Sequence, residues 1–142
     1  MTSFKKIGDG LFIGPQPTEQ DLREAKQQGI QTVIDMRMPG ETASPNADLV
    51  GNNGLDYVNV PVNKTALSEP QIDDLEQAMQ RTQGPHLLHC ATGTRAAMLL
   101  ALSRAKHNGW TAERTFDEAQ GMGFDLKGSP DFASFVRQVT SK

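Results

Sequence analysis

His89-Cys90-Ala91-Thr92-Gly93-Thr94-Arg95 is the stretch that decides how this chain folds, and it holds the chain's single cysteine. The apolar run Pro85-His86-Leu87-Leu88 precedes it, and the alanine- and leucine-rich segment Ala96–Ala105 follows it. This order predicts a strand, a short loop of small residues and a helix. Because the pKa of a cysteine thiol falls at a helix N-terminus and beside positive charge, the pattern predicts a reactive thiolate at the end of the strand.

The residues after Cys90 suit an anion-binding loop. Four small residues separate Cys90 from Arg95, so their backbone N–H groups can turn toward an anion held above the sulfur. Gly93 permits the positive φ that such a loop often needs, and Arg95 offers a planar fork of donors for an oxyanion. We expect Cys90 and Arg95 to be catalytic and the anion to be held by Ala91, Thr92, Gly93, Thr94 and Arg95.

The competing interpretation of Cys90 is a buried structural cysteine. A free cysteine usually behaves as a small hydrophobe in a protein core. A core cysteine, however, needs no Thr-Gly-Thr-Arg segment after it, and arginine is seldom buried without a partner. The context of Cys90 therefore favours chemistry over packing.

Composition limits the partners of this chain. The formal net charge is −3 and the sequence pI is about 5.5, which indicates no basic surface for nucleic acid or an anionic membrane. A single cysteine excludes an internal disulfide and fits a reducing compartment. The N-terminal residues form no apolar signal region, and no run reaches membrane-spanning length. We expect a cytoplasmic protein in which residues 1–142 form a single domain.

Strand-like and helix-like segments alternate along the chain. Predicted strands lie at 10–14, 32–36, 55–62 and 85–89, and predicted helices at 19–28, 46–50, 70–81, 96–107, 112–121 and 131–139. This alternation predicts an α/β fold of three layers, with a mostly parallel central sheet of four to five strands flanked by helices. Ligands of such sheets bind beyond the carboxyl ends of the strands, and Cys90 stands at one such end.

Polar residues around the loop each admit two roles. His89 either supports the thiolate or is a hydrogen-bonded core residue. Arg37, together with Glu41, either lines the pocket at the end of the neighbouring strand or forms a surface ion pair. Thr94 bonds the thiolate, caps the helix that follows, or does both.

Structural roles are favoured for the remaining candidates. His86 and His107 have no partner at the spacing of metal ligands, so we expect no metal and no cofactor. The turn Gly121-Met122-Gly123-Phe124 either walls the pocket or, as the default, packs in the hydrophobic core.

The order of these segments resembles the compact dual-specificity, Cys-based protein tyrosine phosphatase fold. The resemblance is carried by the strand Leu11–Ile13, the helix ending at Gly29-Ile30, the strands Thr32–Asp35 and Tyr57–Val62, and His89-Cys90 with Arg95. More closely, the chain resembles the bacterial family of beta-lactamase-hydrolase-like proteins with a phosphatase-like domain, whose members carry a short Cys-x-x-Gly-Thr-Arg loop. Comparable segments of that family fall at Gly14–Pro17, Asp35–Arg37, Gly40-Glu41 and Ala119–Leu126.

The resemblance implies phosphate ester hydrolysis through a phosphocysteine at Cys90, but the chain departs from the phosphatase pattern twice. Phosphatases of this class place five residues between the cysteine and the arginine, and this loop has four. They also carry a general-acid Asp where this chain has Asn63-Lys64. Because general acid catalysis contributes on the order of a hundred- to ten-thousandfold, its loss would slow alkyl phosphates far more than aryl phosphates. Glu69 and Glu41 are the candidate substitutes.

The same departures suit sulfur transfer. The four-residue loop is similar to that of rhodanese-type sulfurtransferases, and the family resemblance implies fusion to persulfide dioxygenase modules. The Cys90 thiolate would take the outer sulfur of thiosulfate or a persulfide, and sulfite or a thiolate would leave without needing a proton. We therefore rank a Cys90-dependent sulfurtransferase first, a phosphatase second, and a catalytically weak module that binds an anion or a partner third. The expected partners are a small anion, namely thiosulfate, a persulfide or a phosphate ester, and a thiol acceptor protein.

Overall fold

The sheet that carries Cys90 has five strands in the computed structural model, which describes residues 4–38 and 46–141. The strands are β1 (Lys5–Gly8), β2 (Leu11–Gly14), β3 (Thr32–Asp35), β4 (Asp56–Asn59) and β5 (His86–His89). Their order across the sheet is β1-β2-β5-β3-β4. The last four in this order run parallel, and β1 pairs antiparallel with β2. The prediction of a mostly parallel sheet of four to five strands is confirmed.

Helices cover both faces of the sheet, as three layers require. The helices α1 (Glu19–Gln27) and α2 (Asn46–Asn52) lie on one face, and α3 (Pro70–Arg81), α4 (Thr94–Asn108), α5 (Ala112–Gly121) and α6 (Pro130–Thr140) lie on the other. Each predicted helix is present with ends that move by a few residues. Thr18 and Thr111 cap α1 and α5 through their side chains, as their positions in the sequence predict.

Cys90 lies at the junction of a fully buried strand and an almost fully buried helix. β5 sits between β2 and β3, with Leu87 in the core against α1 and α2 and Leu88 in the core on the opposite face. α4 follows after a short loop and buries nine of its residues. Burial on all sides fixes the backbone on both flanks of the loop, so the loop itself is held in one place.

Two strands differ from the prediction for physical reasons. β1 is missing from the predicted set because Lys5-Lys6-Ile7-Gly8 shows no alternation of apolar and polar residues. The predicted strand 55–62 ends at Asn59, because beyond this residue the register with β3 becomes irregular. The N–H groups of Val60 and Val62 still bond the carbonyl oxygens of Asp35 and Met36, at 2.9 and 3.0 Å.

Within the described ranges, no helix combines the length and the apolar character needed to cross a membrane.

Candidate active site

The sulfur of Cys90 receives a backbone hydrogen bond from its own loop. Cys90 is 1% exposed, and the N–H of Gly93 donates to its Sγ at 3.0 Å. Gly93 has a φ of 100° and is the N-cap of α4, so the loop turns back over the sulfur where the helix begins. A thiolate is stabilised by such an N–H and by the partial positive charge of a helix N-terminus. The loop predicted from the sequence therefore directs one backbone donor, the Gly93 N–H, at the Cys90 sulfur.

Thr94 takes neither of the two roles that the sequence suggested for it, a hydrogen bond to the Cys90 sulfur or a side-chain cap of α4. The N-cap of α4 is Gly93, which makes no side-chain capping bond, and Thr94 is the first helical residue. The hydroxyl of Thr94 shares a hydrogen bond of 3.1 Å with the hydroxyl of Thr92. Both hydroxyls lie on the outer side of the loop, where Thr92 is exposed.

Arg95 is buried behind the loop and tied to the neighbouring strand end. It is 7% exposed, and its Nη1 donates to the carbonyl oxygen of Val62 at 2.9 Å. This bond joins the cysteine loop to the segment that follows β4, where phosphatases of this class carry their general acid. Arg95 is thus fixed by its surroundings rather than free to swing, which suits a group that must meet an oxyanion in one geometry.

No carboxylic acid takes the place of the general acid in the described part of that segment. Asn63 follows Val62 directly, and its Oδ1 accepts hydrogen bonds from the N–H and the hydroxyl of Thr65. An amide has no acidic proton to give to a leaving group. The chemistry of the site must therefore proceed without an acid from the described residues of this loop.

The two candidate substitutes for that acid do not fill the gap. Glu69 lines a cavity together with Trp110, beyond the C-terminal end of α4. Since α4 runs for about 22 Å at 1.5 Å per residue, Glu69 lies far from the Cys90 loop. Glu41 lies outside the described residues.

An aromatic ring walls the loop on one side. A Cβ built on Gly93 would stand 2.7 Å from Cζ of Phe124 and 3.3 Å from the carbonyl oxygen of Gly14. The half-buried Phe124 ring and the end of β2 therefore press directly on Gly93. The structure shows both roles that the sequence allowed for the turn 121–124: Met122 belongs to the hydrophobic core, and Phe124 packs against that core while its ring lies against Gly93.

Arg37 is buried, which excludes the surface ion pair. It is 4% exposed and forms a two-pronged pair with Asp35, from Nε to Oδ1 at 2.9 Å and from Nη2 to Oδ2 at 2.8 Å. The hydroxyl of Tyr57 also donates to Oδ2 of Asp35, at 2.8 Å. Burial raises the pKa of Asp35, but the bonds from Arg37, the positive charge that His89 carries when it is protonated and the bond from Tyr57 together hold that pKa below its usual value.

His89 is a fully buried residue that bonds the cysteine backbone. Its Nδ1 lies 3.3 Å from the carbonyl oxygen of Cys90, and because a carbonyl only accepts, Nδ1 carries the proton. Its Nε2 lies 3.9 Å from Oδ1 of Asp35. Burial lowers the pKa of His89 to about 4, against the opposing pull of Asp35, so the ring is neutral at neutral pH.

The other histidines lie away from the loop. His86 is buried at the start of β5, where its Nε2 bonds the hydroxyl of Thr82 at 2.9 Å. His107 is exposed near the end of α4 and lies 3.1 Å from Glu76. Among the residues that the structure describes, no group of three or more His, Cys, Asp or Glu side chains is placed to hold a metal ion.

A network of polar side chains next to the loop does not follow from the sequence pattern. The pattern predicts Asp35, Tyr57 and Asn59 as strand residues. In the structure, Asn59 Nδ2 donates to the carbonyl oxygens of Asp35 and Arg37, at 2.7 and 3.0 Å. The available signal was strand register: polar residues at the ends of two neighbouring parallel strands come together at one edge of the sheet.

The comparison with protein families assigns the chain. The family model described as beta-lactamase hydrolase-like protein, phosphatase-like domain, matches residues 3–107. The chain belongs to this family. Within it, the beta-lactamase hydrolase-like protein of Xylella fastidiosa (strain Temecula1) is 33% identical over 129 residues, and that of Agrobacterium fabrum is 31% identical over 128 residues. These matches cover 84% and 85% of this chain but 29% of each relative, so the chain spans under a third of their length.

Solved structures share the fold of this family member. A protein from Neisseria meningitidis assigned as a phosphatase has a TM-score of 0.80 and 25% identity, over 98% of this chain and 99% of that one. A Cys-to-Ser variant of P. aeruginosa TpbA in complex with pTyr has a TM-score of 0.74 and 16% identity, over 99% and 91%. The core catalytic domain of an S. cerevisiae PP-IP phosphatase has a TM-score of 0.73 and 17% identity, over 94% and 83%.

These comparisons confirm the predicted family and the fold of Cys-based phosphatases. They do not support the sulfurtransferase that the sequence analysis ranked first, because the similar structures are those of phosphatases. The expected thiosulfate and thiol acceptor find no support in these similar structures.

Proposed function

We propose that this domain hydrolyses phosphate monoesters through a phosphocysteine at Cys90. One observation carries the proposal: the Gly93 N–H points at the Cys90 sulfur while Arg95, anchored on Val62, closes the same loop. The loop amides from Ala91 to Thr94 and the Arg95 guanidinium would hold the three phosphoryl oxygens. The thiolate is the reactive form of cysteine, so the activity belongs in a reducing compartment such as the cytoplasm.

Two displacements at phosphorus complete the reaction. The Cys90 thiolate attacks phosphorus, a P–S bond forms, and the ester P–O bond breaks with its electron pair going to the leaving oxygen. Water then attacks the phosphocysteine, which releases inorganic phosphate and returns the thiolate. Backbone donors that already point into the loop stabilise the transferring group without reorganising during the reaction.

The leaving group sets the substrate class. Because Asn63 gives no proton, an ester whose oxygen leaves readily as an anion is favoured over an alkyl ester. Phosphotyrosine and other aryl phosphates meet this requirement. The structure of TpbA in complex with pTyr is in line with this class, although the likeness to that protein concerns the fold.

Sulfur transfer is the second candidate, and the loop itself favours it. The four-residue spacing and the amide at Asn63 suit a reaction in which the leaving group needs no proton. The thiolate of Cys90 would attack the outer sulfur of thiosulfate, the S–S bond would break with its electron pair on sulfite, and a persulfide would remain on Cys90.

Parallel assays separate the two functions. Purified protein is given para-nitrophenyl phosphate, phosphotyrosine and an alkyl phosphate, and separately thiosulfate with cyanide. We expect Cys90-dependent phosphate release from the aryl esters, little from the alkyl ester, and no thiocyanate. Cys90→Ser removes the nucleophile. Arg95→Lys keeps the positive charge but removes the planar set of guanidinium N–H donors. We expect this variant to lower kcat/KM at least about tenfold.

The matched control is Arg104→Lys, which makes the same exchange on the same helix away from the loop. Thiocyanate formation without phosphate release would overturn the phosphatase in favour of the sulfurtransferase. Inactivity in every assay would overturn both and leave the binding module.

A further inference from the structure

Lys5 lies at the edge of the sheet that carries the Cys90 loop. In β1 it stands opposite Ile13 of β2, and Ile13 pairs in turn with Leu88 of β5. Lys5 is therefore level with the last residues of β5 and two strands away, which is about 10 Å across the sheet. Its exposed side chain begins at the same end of the sheet as Cys90.

A series of contacts joins Lys5 to the loop. A Cβ built on Gly123 would stand 3.3 Å from Nζ of Lys5. The next residue, Phe124, holds its ring against Gly93, whose N–H bonds the Cys90 sulfur. The ammonium group of Lys5 thus lies one residue beyond the aromatic wall of the candidate site.

The surroundings of Lys5 leave its charge available. Lys5, Lys6 and Arg104 line a groove of about 330 Å³, together with the single acid Glu118. Glu118 is already paired with Arg104, and it lies 3.9 Å from Nη2 of Arg114. In the described part of the chain no carboxylate pairs with Lys5, so the groove keeps a net positive charge.

We infer that Lys5 binds a second anionic group of the substrate, an inference that rests on the proposed phosphatase function. The phosphoryl group occupies the Cys90 loop, the body of the substrate passes along Phe124, and a carboxylate or a second phosphate reaches Lys5. The substrate class is thus a phosphate monoester that carries a further negative charge on the far side of Phe124 from the reacting phosphorus. An acidic phosphotyrosine peptide and a small bisphosphate both carry this chemistry.

Lys26 provides a matched control on the other face of the sheet. It is exposed in the last turn of α1, where its Nζ donates to the carbonyl oxygen of Gly54 at 2.9 Å. Lys26→Glu therefore changes the net charge as Lys5→Glu does, but at a position outside the groove. Lys6 cannot serve as this control, because it lines the groove together with Lys5.

The kinetic test compares two phosphotyrosine peptides that differ only in having glutamates or glutamines beside the phosphotyrosine. We expect Lys5→Glu to raise KM for the glutamate peptide about three- to tenfold, because an attraction becomes a repulsion. The KM for para-nitrophenyl phosphate, which has no second charge, should stay unchanged, as should both kcat values. Lys26→Glu should change the KM for the glutamate peptide less than twofold.

A binding test separates this inference from the proposed function. The glutamate peptide is titrated into the Cys90→Ser protein with and without Lys5→Glu, so affinity is measured without turnover. A small bisphosphate and its monophosphate analogue then compete with the peptide, which tells whether a peptide or a small molecule uses Lys5 better. Failure of the wild-type protein to hydrolyse any ester would overturn the phosphatase, whereas the affinity difference still tests Lys5.

Equal effects of Lys5→Glu and Lys26→Glu would show a diffuse electrostatic field and would overturn the subsite. Equal affinity of the protein for the glutamate and glutamine peptides would overturn it as well.

Discussion

Gly93 is held in place by two separate requirements. Its φ of 100° lies in the left-handed region, which residues with a Cβ rarely adopt. A Cβ at this position would also stand 2.7 Å from the ring of Phe124. We expect Gly93→Ala to lower the free energy of unfolding by about 2–4 kcal/mol, as the sum of backbone strain and overpacking. The variant should also lose most activity, because the Gly93 N–H to Cys90 would move. Urea denaturation and kcat/KM measure the two effects.

Gly29 supplies the control for the strain alone. Its φ is 90°, and nothing lies within 4 Å of a Cβ built on it. Gly29→Ala should cost only the strain, about 1–2 kcal/mol. Adding Phe124→Ala to Gly93→Ala should recover the overpacking part of the loss. Equal losses for Gly29→Ala and Gly93→Ala would contradict the role given to Phe124.

At the scale of elements, the ends of three neighbouring strands are tied together beneath the cysteine loop. Asp35 at the end of β3 accepts from Arg37 and from Tyr57 of β4, and it faces His89 at the end of β5. The Met36 N–H also donates to the carbonyl oxygen of His89 at 2.8 Å. Because β4 is an edge strand, the bond from the side chain of Tyr57, its second residue, to Asp35 supports the attachment of β4 to β3.

Tyr57→Phe tests the hydrogen bond from Tyr57 to Asp35, because it removes only the hydroxyl oxygen. A hydrogen bond to a charged group contributes about 1.5–3 kcal/mol, so we expect the free energy of unfolding to fall by about that amount. The midpoint of urea denaturation should fall at an unchanged slope. An unchanged midpoint would contradict the contribution of this bond.

The chain's only tyrosine also gives a spectroscopic prediction. Burial, with the hydrogen bond to Asp35 and its negative charge, raises the pKa of Tyr57 well above its ordinary value of 10.0. Tyrosinate absorbance should therefore stay flat through pH 10 while the protein is folded. The same protein in concentrated guanidinium chloride should titrate at about pH 10. Titration of the folded protein at the unfolded value would show that Tyr57 is not bonded to Asp35.

At the scale of the whole molecule, burying histidines makes stability depend on pH. The pKa of His89 falls from 6.5 to about 4 in the folded protein, mainly through burial, and burial also lowers the pKa of His86. Below pH 6.5 these histidines therefore bind protons in the unfolded chain but not in the folded protein. Stability is fully present above this value and declines as the pH falls toward about 4.

The expected loss from His89 is on the order of 3 kcal/mol between these limits, since each pKa unit corresponds to about 1.4 kcal/mol. Urea denaturation at a series of pH values measures it. His89→Asn should flatten part of the dependence, whereas His107→Asn, at an exposed position, should keep it. A dependence as steep in His89→Asn as in the wild type would refute the assignment to His89.

Much of the fold could be predicted because its signals are local. Thr18 and Thr111 mark helix starts by side-chain capping, and the run at β3 is typical of a buried parallel strand. Cys90 could be placed at a strand end for the same reason. β1 could not be predicted, since a strand of four residues, two of them lysines, forms only because the edge of β2 is there to pair with it.

Seven consecutive residues were enough to predict the candidate nucleophile, the small loop around it and the arginine that follows the loop. The groups that surround them depend on the tertiary structure. Strand order brings the side chains of Asp35, Tyr57 and His89 together, and the turn after α5 places Phe124 against Gly93 and Gly123 beside Lys5. These partners lie far apart along the chain, and contacts of that kind leave no periodicity in the sequence.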